Sequence, residues 1–122
     1  MNASHALLLL AVLFAIYLVW RRFTQIAPEH VTRHLREGAV IIDVRTSAEY
    51  RNGHLPKAIN IPLNHIEITI PDRFPDRSKV LLLHCHSGAR SGLAVRRLKA
   101  KGYPNAFNLG SYHRATKLTS SK

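Results

Sequence analysis

One cysteine in 122 residues excludes a disulfide framework, and it excludes a multi-thiolate metal centre for the same reason. Aromatic residues are few, and none interleave with basic ones in the way that stacks single-stranded bases. No helix-turn-helix or zinc pattern is present either, so nucleic acid is not an expected partner. Acidic side chains are scarce: seven Asp plus Glu stand against eighteen Lys plus Arg, a net charge of +11. The scarcity is uneven. Residues 21–77 carry nine basic and seven acidic side chains, whereas residues 78–122 carry nine basic and none acidic, Asp76 being the last carboxylate. A half of one sign is either a solvated basic face or an attractor of anions, from small oxyanions to phospholipid headgroups. Residues 1–20 hold no Asp, Glu, Lys or Arg. About 100 residues then remain to build a soluble fold, which suits one small domain and excludes a two-domain enzyme.

The charge-free stretch contains ALLLLAVLFAIYLVW from Ala6 to Trp20, fifteen apolar residues without a polar face, closed by Arg21 and Arg22. Such a run makes about 22 Å of helix against a hydrocarbon core of about 30 Å, and counting from Met1 restores the missing length. Tyr17 and Trp20 would then sit in the interfacial belt, with the arginines reaching the headgroups. A cleaved signal peptide places its charges before the apolar core and a small-residue site after it, the reverse of what stands here. Residues 1–22 are therefore expected to be a single-pass transmembrane anchor. The positive-inside tendency puts the following domain on the cytoplasmic side, where a lone thiol stays reduced.

Residues 23–27 read as a linker and 28–115 as the domain. Pro28 at a first helical position, EHVTRHLRE and Gly38 predict a helix. Residues 39–44, AVIIDV, form a continuous apolar run ending in an acid, as in a strand buried on both faces. Thr46 with Glu49 three residues on predicts a capping box, and Asn52 and Gly53 end that helix. A short strand follows over 58–61, a helix over 64–70 and a loop over 71–78. KVLLLH, residues 79–84, is the strongest strand of the chain and runs straight into Cys85. A helix over 91–101 and a strand over 106–109 complete the α/β alternation, which implies a parallel sheet with helices on both faces. Residues 116–122 read as a polar tail, with at most a marginal helix beyond Gly110.

Cys85 to Arg90 reads CHSGAR, a loop between a buried strand and a helix N-terminus. Cysteine at the carboxyl end of a strand lies where open α/β sheets bind ligands, and the unpaired N–H groups of the helix start favour a thiolate. Gly88 lets the backbone approach an anion, Arg90 offers a planar cationic fork, and Ser91 is a helix cap or a further donor. A buried structural cysteine would leave His86, Ser87, Gly88 and Arg90 unexplained. His84, Cys85 and His86 could suggest a metal trio, but adjacent residues of an extended strand face opposite ways, and no metal site is assigned.

At this point the sequence resembles the rhodanese, or thiosulfate sulfurtransferase, family. CHSGARS carries the resemblance together with IIDVRTSAEYRNGHLPKAINIP at 41–62 and GYPNAFNLG at 102–110. It implies a five-stranded parallel sheet flanked by helices, Cys85 as the persulfide-bearing nucleophile, and His86, Ser87, Gly88, Ala89, Arg90 and Ser91 as the anion cradle. The implied partners are a small anionic sulfur donor and a thiol acceptor, protein thiols included, with no cofactor required. Asp43, Arg45, Glu49 and His54 take supporting roles, Arg45 and Glu49 being spaced for a helical ion pair. Four residues separate Cys85 from Arg90, a narrower ring than the five-residue spacing of tyrosine phosphatases. Two departures stand out: Lys57 occupies a place where the family usually has Gly, and no Trp follows Gly110, so the last helix is expected to be short. The alternative to catalysis is a rhodanese-like module that binds protein at the membrane.

Overall fold

The computed structural model describes residues 2–120. Met1, residues 121 and 122 of the expected tail, and the side chains of Arg22 in the expected anchor and Phe23 in the expected linker lie outside the described set. The chain opens with α1 (Ala3–Thr24), begun by Asn2, whose side chain accepts the amide of His5. The segment Ala3–Arg21 has a mean hydropathy of 2.2 and is nowhere buried against the domain. Its 19 residues make about 28 Å of helix, long and apolar enough to cross a bilayer. The helix takes in the start of the expected linker, since helical geometry persists through Thr24.

Four strands, β1 (Val40–Asp43), β2 (Ile59–Asn60), β3 (Leu81–His84) and β4 (Ala106–Gly110), form one parallel sheet in the order β2-β1-β3-β4. The five strands implied by the family resemblance are thus reduced to four. In the fifth position an isolated parallel bridge joins Gln25 to Asn108, and Ile26 N donates to Asn108 O at 2.9 Å. The physical reason is space along the chain: α1 ends at Thr24 and Pro28 opens α2 (Pro28–Arg36), leaving only residues 25–27 extended.

Strand alternation sorts the core into two layers. Ile42, Leu81 and Leu83 pack under α4 (Ile66–Arg73) and α5 (Ala89–Ala100), with Ile66, Ile70, Ala94 and Leu98 opposite them. Ile41, Leu82 and Leu109 pack on the other face against Val31 of α2 and Ala115 of α6 (Tyr112–Ser120). Both faces are apolar, which is why the strands read as uninterrupted hydrophobic runs.

Several boundaries differ from expectation. After a 3-10 turn at Leu63–His65, α4 continues through Pro71 to Arg73, where a loop was expected. Ile66 and Ile70, one turn apart and both fully buried, outweigh the hydrogen bond Pro71 removes, and the helix stops within a turn of it. The expected polar tail is helical to Ser120 because Ala115 is buried in the second layer and Leu118 packs beside it. That layer is covered, though an apolar groove of about 760 Å³ stays open between α2, α6 and the β2 edge, lined among others by Leu35, Leu55 and Ile59.

Lys57 has φ 68°, and Ala58 N donates to Leu55 O at 3.2 Å across the turn. Pro at the second position and positive φ at the third define a type II turn, which Gly satisfies without strain.

Candidate active site

From the central pair β1 and β3 the chain leaves in opposite directions, β2 lying beyond one and β4 beyond the other. A crevice opens past the carboxyl ends of such a pair, and Cys85 follows β3 into it. The loop is sewn to the end of β4: Cys85 N donates to Gly110 O at 3.2 Å, Tyr112 N donates to His86 O at 3.1 Å, and Ser87 bridges Ser111.

Gly88 has φ 95° and is the residue from which α5 springs. This left-handed turn starts the helix at Ala89, two residues before the expected start, and it places Ser91 inside the first turn rather than at the cap. A Cβ on Gly88 would fall 3.2 Å from Gln25 Nε2 and 3.4 Å from the Gly110 backbone. Glycine is therefore required here by backbone conformation and by protein packing.

Cys85 is fully buried, its Sγ accepting from Gly88 N at 3.0 Å and from Ser91 Oγ at 3.6 Å. Burial pushes the thiol up, while the amide and hydroxyl of Ser91 and the amides of Gly88 and Ser87 push it down further. The balance leaves Cys85 more acidic than an ordinary thiol. Ala89 and the side chains of His86 and Ser87 face solvent, so the loop touches the sulfur chiefly through its backbone.

Arg90 does not stand free across the loop. Its terminal nitrogens donate to both oxygens of Glu49, Nη1 to Oε1 at 2.7 Å and Nη2 to Oε2 at 3.0 Å. This bidentate contact, helped by the Thr46 amide, holds the Glu49 carboxyl at about 2, well below its usual value of 4.5. Glu49 raises Arg90 in return, and the charge of Cys85 adds to that. Glu49 is itself fixed by the expected capping box, both halves of which form with Thr46. The Arg45 to Glu49 pair expected from helical spacing is absent. Arg45 instead donates from Nη2 to Asp43 Oδ2 at 2.8 Å and to Gly53 O at 2.8 Å, a nearly dry contact that braces the β1 end against the α3 (Ser47–Arg51) turn. His54 stacks on Tyr50 at 3.7 Å and serves the same turn.

The sequence singled out no role for Asn108, which the structure places at the centre of the loop's support. Its Nδ2 donates to Gly88 O at 3.1 Å, while its Oδ1 accepts from Ser91 Oγ at 2.7 Å and from Gly110 N at 3.0 Å. A buried Asn in an otherwise apolar strand was the available signal. His84 and His86 do not converge: His84 is fully buried, its Nε2 3.7 Å from Asp43 Oδ2, and His86 is exposed. Among the described residues no three His, Cys, Asp or Glu side chains cluster as metal ligands.

A buried, acidified cysteine at the end of a central parallel strand, its sulfur accepting from a loop amide and a hydroxyl, is an arrangement suited to thiolate chemistry. The chain belongs to the rhodanese-like domain family, whose pattern matches residues 27–115. It is 36% identical over 69 residues to the thiosulfate sulfurtransferase PspE of Escherichia coli, which covers 57% of this chain and 66% of that protein. Among solved structures it is similar to an E. coli rhodanese with anions, with a TM-score of 0.61 and 32% identity over 63% of this chain and 91% of that one. A human single-domain sulfurtransferase gives a TM-score of 0.67 and 26% identity, covering 77% of this chain and 96% of that one. These likenesses support sulfurtransferase activity in general terms.

Proposed function

We propose that this chain is a membrane-anchored sulfurtransferase that carries sulfane sulfur on Cys85, taking it from thiosulfate or a persulfide and passing it to a thiol or to cyanide. The observation that carries this is the buried sulfur of Cys85, which accepts from Gly88 N at 3.0 Å and from Ser91 Oγ at 3.6 Å. In the first step the Cys85 thiolate attacks the outer sulfur of thiosulfate; a sulfur–sulfur bond forms to Cys85, the bond to the sulfonate sulfur breaks, and sulfite leaves with the electron pair. In the second, the acceptor thiolate or cyanide attacks that outer sulfur and the Cys85 thiolate departs, giving an acceptor persulfide or thiocyanate. Loop amides lower the energy of the anionic persulfide between the two steps. Arg90, kept in place by Glu49, retains three of its five N–H groups for a passing sulfite or sulfonate oxygen. We assign α1 as the anchor with the domain on the cytoplasmic side, on the strength of Arg21 and Arg22 following a charge-free segment.

Mass spectrometry of the detergent-solubilised chain after thiosulfate tests the proposal. A gain of one sulfur on Cys85, lost again on adding cyanide, is the expected result. An unmodified Cys85 with a folded domain would favour the protein-binding module instead.

A further inference from the structure

A cavity of about 550 Å³ opens where α1 meets the domain, lined by Leu18, Arg21, Gln25, Pro28, Glu29 and Arg114 among others. Three features of it favour an anion. Arg114 is partly buried, and its guanidinium donates only to carbonyls, Leu109 O at 2.7 Å and Ile26 O. Arg21 faces it from the last turns of α1, and among the described residues neither arginine has a carboxylate within ion-pair distance. The N-terminus of α2 also opens here, with Pro28 in its first turn and no side chain capping it. Two like charges beside an uncapped helix start repel one another, and burial with the charge of Arg21 lowers Arg114 accordingly. Glu29 offsets one of the two charges in the lining but pairs with neither arginine.

We infer that this cavity binds a phosphate group, and that in the anchored protein the group is the headgroup phosphate of an anionic phospholipid. Arg21 and Arg114 would grip its oxygens, and the Glu29 amide would add one donor from the first turn of α2, where Pro28 has no N–H and His30 N already donates to Ala27 O. The lipid source follows from Leu18 in the lining, which belongs to the apolar span and puts the cavity mouth beside the acyl chains. This step rests on the assignment of α1 as an anchor; the phosphate chemistry rests on the arginines and the helix start alone. The cavity is also one side chain from the reactive loop, because Gln25 lines it and lies against Gly88. A bound headgroup would thus hold the loop at the bilayer surface.

The full-length chain in micelles containing equal phosphatidylglycerol and phosphatidylcholine, read by native mass spectrometry, provides the test. One phosphatidylglycerol should be retained in preference to phosphatidylcholine, and Arg21→Gln should reduce its retention about fivefold. Arg114→Gln should do the same, while Lys117→Gln, on α6 outside the cavity lining, should leave retention unchanged. Because Arg114 also ties down two carbonyls, Arg21→Gln decides the matter if Arg114→Gln fails to fold; the side chain of Arg21 makes no described hydrogen bond. Displacement of the lipid by excess inorganic phosphate that also binds in pure phosphatidylcholine would keep the phosphate site and make its source soluble. Equal retention of both lipids, or a loss with Lys117→Gln as large as with Arg21→Gln, would overturn the inference. Resistance of the chain to alkaline carbonate extraction from vesicles reads the anchor separately, so the two ideas can fail independently.

Discussion

Replacing Ser91 with Ala isolates one of the forces that acidify Cys85. The Ser91 hydroxyl has a single proton and three acceptors in reach: Asn108 Oδ1 at 2.7 Å, Gly88 O at 3.2 Å and Cys85 Sγ at 3.6 Å. Removing it leaves no buried acceptor orphaned, because Gly110 N still donates to Asn108 Oδ1 and Asn108 Nδ2 still donates to Gly88 O. The Ser91 amide also survives the substitution. A hydrogen bond to an ionised acceptor contributes about 1.5–3 kcal/mol, and one this long and shared should give about 1 kcal/mol. That raises the Cys85 midpoint by about 0.7 of a pH unit and lowers the thiolate fraction about fivefold at pH values well below the midpoint. The assay is the pH dependence of iodoacetamide alkylation, which has no second thiol to confuse it. Burial of Cys85 slows the reaction in both proteins, but the midpoint reads ionisation rather than access. An unchanged or lower midpoint in a variant that melts normally would refute the assignment of Ser91 as a donor to the thiolate.

Glu49→Gln should weaken the hold on Arg90 and raise KM for thiosulfate about tenfold with kcat little changed; equal losses in both would point to a disturbed loop instead. Taken at face value, a Glu49 carboxyl at about 2 would correspond to about 3 kcal/mol, but both partners are about a third exposed, and solvent screening reduces this to about 1 kcal/mol. Since this carboxyl is lowered on folding, the contribution is complete above its usual 4.5 and fades as pH falls towards about 2. Lys57→Gly should relieve the positive φ and stabilise the domain by about 0.5–1 kcal/mol, seen as a Tm rise of about 4 °C; a fall in Tm would show that the turn is unstrained. Burial lowers His84 against the opposing pull of Asp43, so the folded protein resists its protonation and stability should drop as pH falls below the usual 6.5. Urea melts between about pH 7.5 and 5.5 should show that slope, and His84→Gln should flatten it; a parallel slope in the variant would place the sensitivity elsewhere.

The features legible in the sequence are those whose partners lie close in the chain or share one period. Thr46 and Glu49 are three residues apart, and both bonds of their capping box form. KVLLLH could only be a strand sealed on both faces, and β3 is fully buried. What escaped notice depends on distant partners. Glu49 and Arg90 are 41 residues apart, so the sequence suggested the nearer Arg45, which Asp43 had already taken. Asn108 and Ser91 meet only because β4 pairs with β3 and α5 packs over both. The last helix was hidden by its threonines, poor helix formers that here return their hydroxyl protons to their own helix, Thr116 to Tyr112 O and Thr119 to Ala115 O. Tertiary burial of Ala115 outweighs that propensity.

The site and the basic surface around it stabilise negative charge in two physically different ways. At Cys85 the donors are fixed dipoles, amides held by the Gly88 turn, the start of α5 and the tie to Gly110, while the nearest formal charge is already matched by Glu49. Arg21 and Arg114 are instead full charges that, among the described residues, pair with no carboxylate, Glu29 lying unpaired in the same lining, and the last 45 residues of the chain carry nine basic side chains and no acidic one. Exposed charges are screened beyond about 8 Å at physiological ionic strength, whereas short hydrogen bonds inside a dry loop are not. Added salt should therefore weaken the capture of anions at the surface well before it alters the ionisation of Cys85. This separates encounter from chemistry within one small domain: the donors on the Cys85 sulfur are an amide and a hydroxyl, and the charge of Arg90 beside them is matched by Glu49.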